Sequence, residues 1–229
     1  MKKRILVAGV ALAVQATMMV SAQNVETGKS TEEKLEEIVI FSRGVTRQQQ
    51  SLGSEQIAYL PSGTSPLKAI EKLPGVNFQA ADPFGAYEWS TRIVVRGFNQ
   101  NQMGFTLDGV PLGDMSYGNH NGLHISRAVP SELVGRVSLS QGAGALGTAS
   151  TSNLGGTIEF SSADPAEVFG ARIEGTGGSD RTRRYVGVID TGSLGDGGPR
   201  AYLAVVDSVT DKWKGSGEQQ QRMLNLKVT

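Results

Sequence analysis

The chain has no cysteine among its 229 residues. That removes a disulfide framework and every thiolate metal site. It has no surplus of either charge, with 22 Lys+Arg against 22 Asp+Glu, so no basic field draws it to nucleic acid. It has no G-x-S-x-G nucleophile elbow and no nucleophile–base pattern in its place. Nothing in it points to an enzyme. After Val20 it has no apolar run long enough to cross a bilayer as a helix, which takes roughly 20 residues.

What is present begins at the N-terminus. Lys2, Lys3 and Arg4 form a positive region, an apolar stretch runs from Ile5 to Val20, and small residues close it at Val20-Ser21-Ala22. This predicts a secretory signal peptide cut after Ala22. Glycine is abundant, at 30 residues, and the hydrophobic content is a modest 38%. The class implied is an exported, glycine-rich, mostly β protein of one or two domains.

Residues 23–36 show no apolar period and read as a flexible polar arm. Within "LEEIVIFSR" (35–43), Ile38, Val39, Ile40 and Phe41 form a short β-prone run flanked on both sides by polar sequence. In "TSPLKAIEKLPGV", Ser65 suits an N-cap, Pro66 suits the first helical position, and Leu67, Ile70 and Leu73 share a face. A two-turn helix stopped by Pro74-Gly75 is predicted. Ile93 to Val95 reads as a buried strand. Residues 99–102 read as a polar connection. Met103, Phe105 and Leu107 alternate with Gly104, Thr106 and Asp108 as a half-buried strand, and Asp108-Gly109 signals a tight turn. Residues 113–124 read as a loop. "SELVGRVSLSQ" reads as a helical turn leading into a strand, and "TIEF" as another strand after a glycine-rich stretch. Near the C-terminus, Phe169, Ala171 and Ile173 share one face, and so do Leu224, Leu226 and Val228. "RRYVGVIDTG" and "RAYLAVVDSV" are β-rich with poorer alternation. Four strands of about ten residues, two of them clearly apolar on one side only, fit a transmembrane β-barrel, the other reading being a soluble antiparallel sheet.

Two motifs fail on context. Residues 142–147 spell G-x-G-x-x-G, but no helix follows and no βαβ unit surrounds them. His120 and His124 are four apart, yet Asn121-Gly122 between them favours a loop over the helix that would align them. No metal site and no cofactor is expected.

The order of signal peptide, isolated β-prone run, "LPGV" (73–76), "IVVRGF" (93–98), "LDGVPL" (107–112), "GRVSLSQGAGALGTASTSNLGGTIEF" (135–160) and amphipathic strands resembles the N-terminal part of a TonB-dependent outer-membrane receptor. The likeness spans about residues 36 to 229. It implies an α+β plug domain of short strands and helices, followed by the first antiparallel strands of a transmembrane barrel of about 22 strands. The expected layout is a signal peptide at 1–22, an arm with a TonB-box-like strand at 23–44, a plug at 45–165 and four wall strands at 166–229. The barrel is incomplete in this chain, which is expected to be part of a longer receptor, monomeric when whole, with no room in the arm for a signalling domain.

Under that resemblance Glu37, Ile38, Val39, Ile40 and Phe41 would add as a strand to the periplasmic domain of TonB. Outward loops at 82–89, 99–102 and 114–124 would meet the ligand. Phe84, Tyr87 and Trp89 are placed to stack, and Asn99, Gln100, Tyr117, His120 and Asn121 to hydrogen-bond. Arg96 would contact the barrel wall. The family commonly has a Glu-Val strand followed by Arg-Gly-Pro where this chain has "SLSQGAGALG", so the ionic contacts usual at that segment are not expected here. The implied ligand is a scarce solute, first an iron–siderophore complex. The alternatives are an oligosaccharide imported by the same architecture, or a soluble exported β-rich binding protein.

Overall fold

The computed structural model describes residues 49–115, 122–142, 148, 150, 153–212 and 214–229, all within one compact unit, Ser42–Thr229. The expected signal peptide and arm, the strand at 37–41, Tyr117, His120, Asn121 and most of the G-x-G-x-x-G stretch lie outside the described residues.

The N-terminal body carries two sheets. Five strands order as β1-β7-β8-β5-β6, with β1 at Gln49–Gly53, β5 at Gly104–Leu107, β6 at Val110–Gly113, β7 at Val134–Gln141 and β8 at Gly156–Ser162. Val137 and Leu139 on β7, Ile158 and Phe160 on β8, and Phe105 on β5 are fully buried. These β-branched and aromatic residues fit a covered pleat, and their burial is the main driving force for the body. β5 and β6 form the hairpin expected at Asp108-Gly109, both residues with positive φ, as a two-residue turn of this kind requires. A smaller sheet orders as β2 (Val76–Gln79), β3 (Arg92–Val95) and β4 (Phe98–Asn99). Short helices α1 (Ser54–Ala58), α2 (Pro66–Ala69) and α3 (Ile125–Ala128) flank the sheets.

Several local expectations change. The predicted two-turn helix is α2, only four residues long, with Leu67 and Ile70 buried. A further hydrogen-bonded turn, Leu73 N–H to Ile70 C=O, carries the chain to Gly75. Ser65 precedes α2 but its hydroxyl makes no cap; it meets the Ser126 hydroxyl at 3.2 Å instead. β5 is not half-buried, because Gly104 and Thr106 are covered as well as Phe105, the strand being layered between elements on both faces. β1 falls in sequence read as polar, and α1 in a stretch where no element is predicted. β1 is an edge strand whose ladder is made by backbone groups, so it needs few apolar side chains.

The C-terminal sheet is a run of hairpins in the order β12-β11-β10-β9, with β9 at Phe169–Gly177, β10 at Arg183–Thr191, β11 at Ala201–Asp211 and β12 at Glu218–Val228. One face is apolar and exposed: Ile173 is 86% exposed and Leu224 71%, alongside Phe169, Ile189, Leu203, Val205, Leu226 and Val228. The other face packs on the N-terminal body. Val186, Val188, Ala204 and Val206 of β10 and β11 are buried there and join its core, which is why those two strands alternate poorly in sequence. The sheet is open, not closed into a barrel.

Candidate functional site

Residues 80–91 connect β2 to β3 and carry the aromatic candidates. Asp82 fixes the loop by accepting the N–H groups of Ala86 and Tyr87, each at 3.0 Å, a local carboxylate-to-backbone turn. Ser90 Oγ accepts the Ala81 N–H and donates to the Tyr87 carbonyl. The Phe84 carbonyl accepts from Ser65 N–H at 2.8 Å, and the Pro83 carbonyl accepts from Lys68 Nζ. Glu88 pairs with Arg127 of α3 at 2.7 Å. On this braced loop Trp89 is 55% exposed. Its ring centroid lies 5.8 Å from that of Tyr87 at a 50° tilt, an aromatic corner suited to apolar or ring-bearing ligands. Phe84 is half-buried.

The polar candidates sit elsewhere. The β2–β3 register pairs Gln79 with Arg92 at one end and Val76 with Val95 at the other. The 80–91 loop therefore leaves from the first end, and the Arg96-Gly97 turn lies at the second, roughly 10 Å away along the strands; from that turn β4 runs back beside β3 and places Asn99 opposite Val94. Asn99 is exposed, and its N–H donates to Gln102 Oε1 at 3.0 Å. Gln100 is buried and is not presented to solvent. Arg96 has φ of 49°, its N–H donates to the Gly75 carbonyl at 2.8 Å, and its exposed side chain passes over Gly75. It has no ion pair or hydrogen bond from its guanidinium among the described residues.

His124 is buried and caps α3, its Nδ1 accepting the Ser126 N–H at 3.2 Å. Burial, helped by the charge of Arg127, pushes its imidazole down to about 4, so it stays neutral in ordinary media. Among the described residues no group of three His, Cys, Asp or Glu could hold a metal.

The junction between the body and the hairpin sheet is the most strongly built polar site, and the sequence did not reveal it. Glu132, in the 3-10 turn Ser131–Leu133 ahead of β7, accepts both Nε and Nη2 of Arg184 on β10, at 2.9 and 2.8 Å. The two side chains are only 7% and 8% exposed. Glu132 also accepts the Ser62 hydroxyl at 2.5 Å and the Gly63 N–H at 3.0 Å. Gly63 has φ of 85°, and a Cβ there would lie 2.9 Å from the Arg184 side chain; only glycine fits. Nearby, Gln221 Nε2 on β12 donates to the Ser126 carbonyl at 2.6 Å and Asn225 Nδ2 to the Ala128 carbonyl at 3.2 Å. These are terminal carbonyls of α3 that its own turns leave unpaired. Lys227 Nζ reaches the Ser162 carbonyl and Asp164.

Burial alone would raise the Glu132 carboxyl, but the bonds and charge of Arg184, with the Ser62 hydroxyl, outweigh it and bring it from 4.5 to about 2. A depressed folded value means the stabilisation is complete above the unfolded value and is lost as pH falls through the folded one. Docking of the body on the hairpin sheet should therefore hold down to about pH 4.5 and weaken progressively towards about pH 2. Limited proteolysis of the folded chain across that range measures it. A junction that opens between pH 7 and 6 would be inconsistent with this assignment.

The TonB-dependent Receptor Plug Domain family model matches residues 42–157, and the chain belongs to that family. Among solved structures the chain is similar to the pyoverdine outer membrane receptor FpvA of Pseudomonas aeruginosa bound to pyoverdine, at 20% identity and a TM-score of 0.59, covering 77% of this chain and 24% of that one. It is also similar to the ferric yersiniabactin uptake receptor FyuA of Yersinia pestis, at 19% identity and a TM-score of 0.55, covering 79% and 28%. A third is the siderophore receptor PirA of Acinetobacter baumannii, at 16% identity and a TM-score of 0.53, covering 72% and 25%. The chain spans about a quarter of the length of these receptors. No curated protein matches it significantly. The likeness carries the fold: a plug followed by antiparallel wall strands. The family and these structures are receptors, not enzymes.

Proposed function

We propose that the chain is the plug and first wall strands of a TonB-dependent outer-membrane transporter that takes up a scarce extracellular solute, first an iron–siderophore complex. The observation that carries this reading is the two-faced hairpin sheet. Its apolar outer face suits lipid, while its inner face holds the body both by apolar packing of β10 and β11 and by the hydrogen bonds of Arg184, Gln221 and Asn225. The matched receptors include structures named for pyoverdine and yersiniabactin, which favours an iron-complex ligand here. The Tyr87–Trp89 corner on its braced loop is the first contact surface for that ligand, with the exposed Asn99 of β4 as a further polar candidate. Import of an oligosaccharide is the second reading, supported by the exposed Trp89, since aromatic rings stack on sugars. Expression induced by iron limitation supports the first reading, and expression induced by growth on a polysaccharide supports the second.

Energy coupling is assigned to residues 37–41. If the β-prone run there adds to a partner's sheet edge, its backbone supplies the row of N–H and C=O groups that the edge takes up. Four or five such bonds at roughly 1 kcal/mol net each give a reversible grip. A peptide of residues 34–46 should bind the periplasmic domain of TonB, and the same peptide carrying Ile38→Pro should not, because proline removes a ladder N–H. Equal binding by both peptides, or by neither, would remove the coupling role from this strand.

A further inference from the structure

We propose that Arg127 is the anion-reading residue beside the aromatic corner: it takes a planar oxyanion carried on a ring of the ligand and releases Glu88 to do so. The proposal rests on the reading of Tyr87 and Trp89 as a ligand contact. It adds the charge and shape of the group that binds there.

Three consecutive residues divide the work. Tyr87 and Trp89 form the ring pair, and Glu88 between them turns to α3, its Oε2 lying 2.7 Å from Arg127 Nε. The two partners are unequally placed, the Glu88 side chain being 17% exposed and that of Arg127 58%. The contact is also poorly aligned. Glu88 Oε2 is buried yet accepts no hydrogen bond that meets the angular requirement among the described residues, and a bond weakens steeply when the N–H is not aimed at its acceptor. Glu132, by contrast, accepts two aligned bonds from Arg184. The Glu88 pair is thus held by proximity of charge, and the terminal nitrogens of Arg127 make no hydrogen bond among the described residues. That leaves a cation with an open edge next to two rings.

The backbone decides which partner yields. Arg127 lies between two carbonyls taken by the wall, that of Ser126 by Gln221 and that of Ala128 by Asn225. Its own N–H donates to the His124 carbonyl at 2.9 Å. The Arg127 backbone is therefore fixed. Glu88 belongs to the 80–91 loop, whose rings are kept in place by Asp82 and Ser90 whether or not Glu88 is engaged. An incoming anion can displace the Glu88 carboxylate without dismantling the corner.

A guanidinium presents paired N–H groups that match two oxygens in one plane, and the rings beside it take a flat or apolar face. The matching group is a ring bearing a planar oxyanion. Two sources supply it: an aromatic carboxylate or catecholate arm of an iron complex, or the uronic acid of an acidic polysaccharide. A neutral sugar or a neutral iron complex leaves the Glu88–Arg127 pair as it is and gains nothing from Arg127.

The test is calorimetric titration of the whole chain folded in detergent micelles. The probes are the ferric complex of 2,3-dihydroxybenzoate and trigalacturonate, each beside a neutral match, ferric tris(acetohydroxamate) and trigalactose. At least one oxyanion should bind better than its neutral match. Arg127→Gln should weaken that binding by ~10- to 100-fold, the range for a hydrogen-bonded charge, and leave the neutral probes unchanged. Glu88→Gln should tighten it by about 2- to 5-fold, because the competing partner of a partly exposed ion pair is removed. The opposite signs separate recognition from bracing: if Arg127 only steadied the loop, both substitutions would weaken binding alike, and the proposal would fall. It would fall too if the parent chain bound neither oxyanion better than its neutral match. Trigalacturonate binding alone, lost in Arg127→Gln, would keep the role of Arg127 and end the iron-complex reading. Iron-complex binding that Arg127→Gln leaves unchanged would do the reverse.

Discussion

Glu132→Ala is expected to destabilise the junction between plug and wall by ~3–5 kcal/mol, the range for removing one partner of a buried ion pair. Most of that is not lost attraction. Arg184 is left buried without a counter-charge, and the Ser62 hydroxyl and Gly63 N–H lose their acceptor. Arg184→Met should be of similar size, because it strands the carboxylate instead. Replacing both at once, Glu132→Met with Arg184→Met, should recover much of the loss, since an apolar pair of similar volume is often as stable as a buried salt bridge. The denaturant midpoint of the detergent-folded chain at pH 7 reads all three variants. Arg181→Ala and Arg222→Ala serve as controls. Arg181 pairs with Asp211 and Arg222 with Asp207 in good geometry, but on the surface, where ion pairs contribute little, and the midpoint should not move. A Glu132→Ala midpoint as unmoved as the controls would mean that water reaches the pair and that the junction is held by apolar packing alone.

The same pair shows where sequence reasoning stops. Glu132 and Arg184 are 52 positions apart, and each on its own looks like a surface charge. The only trace of Arg184 is that it shares a strand face with Val186 and Val188. The resemblance directed attention to Arg96, whose guanidinium lies over the Pro74-Gly75 turn without an ionic partner among the described residues. What the sequence did carry was local. Pro66 and Gly75 bracket the α2 region, Asp108-Gly109 makes a hairpin, and β9 and β12 alternate because one face meets nothing in this chain. β10 and β11 hid their period because the plug makes their inner face apolar too. β1 hid because an edge strand can be stabilised by its backbone. The aromatic and polar ligand candidates were grouped by chain order, and no feature of order reports that β4 folds Asn99 back beside Val94 of β3 or that Gln100 is buried. Register is a pairing property, set by what lies opposite each residue.

The "NLGG" turn (153–156) gives the second large effect. Glycine at such a place lets another backbone approach closely. Gly156 starts β8 with φ of 124°, and a Cβ added to it would lie 2.3 Å from the Ser140 carbonyl oxygen of β7. That neighbour is backbone, held in the β7–β8 ladder where Ser140 pairs with Thr157 and Gln141 with Gly156, so it cannot swing aside as a side chain would. Gly156→Val combines a backbone conformation closed to L-residues, worth ~1–3 kcal/mol, with overpacking of ~1–3 kcal/mol. A total of roughly 2–6 kcal/mol is expected. The consequence runs further than β8. Gln141 also donates to the Pro74 carbonyl at 2.8 Å, and β5 pairs with β8 from Gly104↔Thr157 onward, so a displaced β8 start loosens the LPGV turn and the Gln100–Gln102 turn together. Gly97→Ala separates the two contributions, because Gly97 has φ of 88° with nothing within 4 Å of its would-be Cβ. It should carry only the left-handed penalty of ~1–2 kcal/mol. Denaturant midpoints of the two variants against the parent chain measure the difference. A Gly156→Val chain no less stable than Gly97→Ala would show that β8 can shift away from β7 at this point, and the close strand passage would then lose its role in setting the plug's register.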